Sequence, residues 1–115
     1  MTRSLKLAAI LLIAVVAGAI VAASVLDRPT DIEMYRLADE RTLVVTTRSG
    51  WLDWTRVTSV LETPTSVTIE MRSLRLSLPG TGGAATDFTV ELTDPLDGRT
   101  VIDASTGQPV FRPPT

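Results

Sequence analysis

Residues 55–72 read TRVTSVLETPTSVTIEMR, and the fold class follows from them. Val67, Ile69 and Met71 alternate with Ser66, Thr68, Glu70 and Arg72. Before the Thr63-Pro64-Thr65 break, Val57, Ser59 and Leu61 fall on one face of an extended chain, with Arg56, Thr58, Val60 and Glu62 on the other. A period of two with the charges held to one face is the signature of half-buried antiparallel strands. The stretch is therefore a β-hairpin that turns at Thr63-Pro64-Thr65.

Upstream, residues 42–48 (TLVVTTR) are rich in β-branched side chains and end at Ser49-Gly50. Residues 31–37 (DIEMYRL) follow Thr30, and the Thr30-x-x-Glu33 spacing matches a capping box that would open a helix. Seven residues do not sustain an isolated helix. A strand 31–37 would reach strand 42–48 through an ordinary hairpin loop, so we read it as strand. Residues 27–30 (DRPT) read as a linker, with Pro29 stopping any preceding helix.

Downstream, Leu74, Leu76 and Leu78 resume the alternation in the opposite parity to Met71, which predicts a β-bulge or strand switch near Arg72-Ser73. Residues 79–86 (PGTGGAAT) read as a loop. Phe88, Val90 and Leu92 alternate with polar residues, and Asp94-Pro95-Leu96-Asp97-Gly98 turns the chain. Asp97-Gly98 is a pair favoured in tight hairpin turns. Residues 100–102 and 108–111 are short strands around Ser105-Thr106-Gly107, and Pro109 confines the last to an edge. Seven or eight short strands, with turns between, predict a small antiparallel β-sandwich over 31–112 and a tail at 113–115.

The segments RTLVVTT, ETPTSVTIEMR and above all DPLDGRTVIDASTGQPV resemble small β domains of exported or membrane-anchored bacterial proteins of uncharacterised function. The resemblance covers most of residues 41–112. It implies a fold and a compartment, and carries no activity, cofactor or site residue with it.

Location follows from the other end of the chain. The run 7–26, LAAILLIAVVAGAIVAASVL, begins at Leu7, ends at Leu26 and holds no charge. As a helix it is about 30 Å long, matching a bilayer's hydrocarbon core. Arg3 and Lys6 precede it and Asp27, Arg28, Asp31 and Glu33 follow, so the N-terminus stays inside and residues from 27 onward lie outside the cytoplasmic membrane. The competing reading is a signal peptide cut near Ala23, releasing a secreted domain. Unbroken apolarity up to Leu26 favours the uncleaved anchor over residues 1–26. The small-residue spacing Ala14, Gly18, Ala22 is what an Ala-rich segment produces by chance. No Cys is present to take a lipid.

Beyond residue 26 the chain carries nine Arg, no Lys and thirteen acidic residues, a net charge of −4 that offers no footprint for nucleic acid. With no Cys, the domain is held by its core alone. It also lacks His, which removes the usual nucleophile–base pairs and imidazole or thiolate metal sites. We expect no cofactor and no enzyme, but a module meeting an envelope protein or a cell-wall polymer. The alternative is a small hydrolase or calcium-dependent factor built on carboxylates, with Asp94, Asp97 and Asp103 as the candidate metal ligands. These lack calcium-loop spacing and suit turn chemistry. Gly80-Thr81-Gly82-Gly83 has no Lys and no following helix to hold a phosphate. The better binding candidates are Trp51 and Trp54, in a loop after Gly50, either stacking on a sugar ring or filling a partner's pocket. Burial is the commoner fate of Trp, so we expect at least one to plug the end of an aromatic-poor core.

Overall fold

Strand follows strand along the part of the chain that the computed structural model describes, residues 27–76 and 83–114. The apolar run 7–26, Leu78 and residues 79–82 of the glycine-rich loop lie outside the described residues. The strands are β1 (Asp27–Pro29), β2 (Met34–Asp39), β3 (Thr42–Ser49), β4 (Trp54–Glu62), β5 (Ser66–Leu74), β6 (Ala84–Glu91), β7 (Thr100–Asp103) and β8 (Gln108–Pro109). The domain is mainly β; the strand expected at 31–37 is present but shifted, to Met34–Asp39, with residues 31–33 outside it and no helix there.

Two sheets share one core. In the first, β4 pairs with one edge of β5, while β7 and β1 occupy successive stretches of its other edge and β8 flanks β7. The second has the order β2-β3-β6. Val67, Ile69 and Met71 of β5 and Leu43 and Val45 of β3 are fully buried. They pack with Ile32, Tyr35, Val90, Leu92, Leu96, Val101 and Val110 in one cluster. Tyr35 is the one aromatic residue buried among those described, so aliphatic side chains fill the core, as the composition requires.

Four sequence expectations are corrected. First, residues 27–29 form a strand rather than a linker. Asp27, Arg28 and Pro29 pair antiparallel with Leu74, Ser73 and Arg72, and the amide of buried Thr30 donates to the Met71 carbonyl at 2.9 Å. Thr30, despite its capping-box spacing, is a buried sheet connector.

Second, β5 has no irregularity at Arg72-Ser73. Its inward row is Val67, Ile69, Met71 and Ser73, and the polar Ser73 is accommodated there by a 2.9 Å hydrogen bond to the buried Thr55 hydroxyl. Leu76 is then exposed. A parity change in hydrophobicity marked a polar pair in the core, not a change in the strand.

Third, register shifts occur elsewhere, in β2 between Leu37 and Asp39 and, with consequence for the hairpin, as a bulge in β4 between Val57 and Ser59. Directly opposed antiparallel residues share a face. Beyond the bulge Val60 opposes Ile69 and Glu62 opposes Val67, whereas Leu61 opposes Thr68 on the outer face. The extra residue reverses the expected assignment of Val60, Leu61 and Glu62. Leu61 is consequently 61% exposed.

Fourth, the pairing is not wholly antiparallel. β7 runs parallel to β5, from Ser66 opposite Thr100 to Ile69 opposite Asp103. Asp97 and Gly98 both have positive φ, 44° and 78°, and the Arg99 amide closes the turn on the Leu96 carbonyl at 2.9 Å. That is the dihedral pattern of a tight turn of mirror-image hand. Its flanking strands are not hairpin partners, however: it delivers the chain from β6 in the second sheet to β7 in the first.

Replacing Ile69 by Ala should lower the unfolding free energy by about 2–5 kcal/mol, the range for emptying a fully packed site. Leu61→Ala should change it by no more than about 0.5 kcal/mol. Urea denaturation compares the two; equal costs would contradict the bulge-shifted register.

Candidate functional site

At one end of the first sheet, three residues stand in a row across the strands: Trp54 on β4, Leu74 on β5 and Asp27 on β1. In the next row on the same face Arg56 opposes Arg72. Two guanidinium groups directly opposed would repel, and Asp27 relieves this. Its carboxylate accepts Arg56 Nη1 at 2.9 Å and Nη2 at 2.8 Å, a bidentate fork, and lies 3.6 Å from Arg72 Nε. Arg72 Nη2 donates to the Asp27 carbonyl at 3.1 Å. The Arg56 hydrogen bonds hold the Asp27 carboxyl below its ordinary range. Arg56 also lies over the Trp54 ring, 4.5 Å from its centroid, within cation–π distance.

The loop after β3 is braced from within by Asp53. Its carboxylate accepts the Gly50 amide at 2.9 Å and the Leu76 amide at 3.0 Å, tying the loop to the end of β5. With that polar side chain turned inward, Trp51 is 81% exposed and Trp54 62%. Both line one surface hollow with Ser49, Thr55, Gly83 and Phe88. Neither plugs the core, contrary to the expectation that at least one would. Leu52 of the same loop and Leu76, held to it through Asp53, are also exposed, so apolar side chains gather at this end of the sheet; we call it the apolar tip. Gly83 passes so close that an added Cβ would lie 3.3 Å from the Ser49 carbonyl oxygen. The Ser49 hydroxyl is buried and has no hydrogen-bond partner among the described residues. It lines a hollow with Asp31, Glu33 and Asp53; with no His, Cys or Lys beyond residue 26, Ser–His and Ser–Lys pairing is closed to it.

The other end is held by Glu62 and Arg99. Arg99 donates to the carbonyls of Thr63, Asp94, Pro95 and Leu96 and to Glu62 Oε1 at 3.2 Å. The Glu62 carboxylate also accepts the Thr93 amide at 2.9 Å and the Asp94 amide at 3.3 Å. The Thr93 amide foremost, with that of Asp94 and Arg99 adding, lowers the Glu62 pKa to about 2. A carboxylate so fully coordinated is a clasp between the β4–β5 turn and the crossover, not a proton donor. Sequence reasoning missed it, because the partners are 37 residues apart and only the shifted β4 register turns Glu62 toward Arg99.

The proposed metal ligands are separated. Asp94 and Asp97 line a hollow beside Glu62 and Arg99, whereas Asp103 stands at the far end of β7, buried. Asp103 accepts the Ile32 amide on Oδ2 at 2.9 Å and the Ser105 amide on Oδ1 at 2.9 Å, with Ser105 Oγ 2.8 Å away. It pins the 31–33 crossing to the β7–β8 turn. Among the described residues no three His, Cys, Asp or Glu side chains gather as metal ligands, and no helix is long and apolar enough to cross a membrane.

No family model matches this chain, and no curated protein or solved structure matches it either.

The Glu62 clasp has a pH signature. A folded pKa below the ordinary 4.5 gives stability that is complete above about pH 4.5 and lost as pH falls toward about 2. Glu62→Gln should lower the melting temperature at pH 7 and flatten its decline between about pH 4.5 and 2. An acid limb as steep as that of the parent protein would refute the assignment.

Proposed function

We propose that this protein is a non-catalytic module tethered to the outer face of the cytoplasmic membrane by residues 7–26, with its small β-sandwich presented to an envelope protein or a cell-wall polymer. The observation that carries the reading is the position of Asp27. It directly follows the apolar run and is already in register with Leu74, so no slack separates run and domain. A helix entering such a sheet from a bilayer would hold the domain against the membrane with the Glu62–Arg99 end outward. Val60 and Leu61, exposed toward that end of β4, offer apolar contact there, on a strand edge without a neighbour among the described residues.

The non-catalytic part of the reading is supported by how Asp27, Glu62 and Asp103 are used. Glu62 and Asp103 are saturated by backbone amides, and Asp27 by two arginines. A carboxylate hydrolase needs an acid and a base converging on one cleft, and these three are dispersed anchors. Of the carboxylates that share a hollow, Asp53 is held by the Gly50 and Leu76 amides, Glu33 by Arg48 and Asp31 by Ser105.

Alkaline extraction of membranes from cells expressing the full chain tests the tether, with N-terminal sequencing of the product. Retention in the membrane pellet with an N-terminus upstream of Leu7 is expected. A soluble chain beginning at Ser24 or Val25 would replace the tether with secretion.

A further inference from the structure

We propose that the apolar tip formed by Trp51, Leu52, Trp54 and Leu76 lies in the headgroup layer of the membrane that residues 7–26 enter, docking the domain on lipid. This rests on the tether proposed above and adds what the exposed tryptophans touch. The argument is one of distance. Asp27 is one peptide unit, about 3.8 Å, from the last residue of the apolar run. Leu74 and Trp54 stand beside it on successive strands, and at about 4.8 Å per strand the Trp54 backbone is about 10 Å from Asp27. That row lies across the strands, so it runs parallel to a membrane from which the strands rise. Trp51 and Leu52 precede the start of β4, and Leu76 follows the end of β5, its amide held by Asp53 of the same loop; all three lie beyond the row, on the side where the run joins the domain.

Leaving the hydrocarbon at Asp27, the chain therefore has the tip inside an interfacial layer about 5–8 Å deep on each side of the bilayer. The composition of the tip suits that layer. Tryptophan concentrates there because its ring is apolar and its indole N–H is wet. Arg28 and Arg75, both exposed, flank the row at headgroup depth, where guanidinium groups pair with phosphate. A sugar ligand would need to reach the same rings past the lipid, so the two occupants exclude each other.

Trp51 and Trp54 are the chain's two tryptophans, and its emission reads this tip alone. The full chain is placed in vesicles of phosphatidylethanolamine and phosphatidylglycerol with brominated acyl chains, and its emission is followed with acrylamide in the aqueous phase. The expected result is loss of emission to the brominated lipid and shielding from acrylamide. The variant W51F/W54F/L61W moves the reporter about 20 Å along the sheet to an exposed site, and should reverse both responses. If wild-type emission ignores the brominated lipid and is as open to acrylamide as the L61W reporter, while the chain resists alkaline extraction, the tether stands and lipid docking is refuted. Loss of the chain from the vesicles on extraction refutes both. A shift of emission on adding soluble cell-wall glycan fragments, without lipid quenching, assigns the tip to a polysaccharide and likewise overturns the proposal.

Discussion

Everything in this domain leans on β5. It is the strand with three fully buried apolar side chains, and it is hydrogen-bonded on both edges, to β4 on one and to β7 and β1 in turn on the other. A small domain without disulfides has few ways to exclude alternatives, because its stability margin is only a few kcal/mol. A central strand whose register is fixed by Val67, Ile69 and Met71 does so, since a slip of one residue would turn all three to solvent. The first strand, the parallel strand and the hairpin partner all take their positions from it.

Polar contacts then secure what the apolar core leaves open. Asp27 joins β1 to β5 and, across it, to β4, Asp53 closes the tryptophan loop, Asp103 fixes the crossing between sheets, and Glu62 with Arg99 fastens the far turn. The last three tie together segments that the sheet ladders do not hold, and each of the four uses a carboxylate to satisfy backbone amides or guanidinium groups that would otherwise be left half-dry. These four acidic residues act as fasteners.

Where burial alternates regularly along one strand, the sequence was legible. Val67, Ile69 and Met71, the strand character of residues 34–37 and the Asp97-Gly98 turn could all be read locally, because side-chain period and turn dihedrals are local properties. The bulge in β4 carried no glycine or proline to announce it, and its effect on Leu61 and Glu62 depends on the partner strand. Strand β1 was hidden because three residues ending in proline look like a linker until Arg56 and Arg72 are known to lie beside Asp27. Ser73 illustrates the same limit: a lone polar residue reads as surface unless its buried partner, Thr55, is in view. The exposure of Trp51 and Trp54 was misjudged because hydrophobicity describes a side chain alone, whereas the turn of their loop is dictated by Asp53.

The short β1 also gives the domain a mechanical character. A pull on the chain at Asp27 acts along the axis of a strand that is paired antiparallel with the centre of the sheet. Force in that direction loads the β1–β5 bonds and the Asp27–Arg56 fork together, as a lap joint is loaded, instead of peeling them apart one after another. Arg56 and Arg72 grip the first residue the force would reach, so strain entering from the N-terminal side is spread over two neighbouring strands before it meets the core.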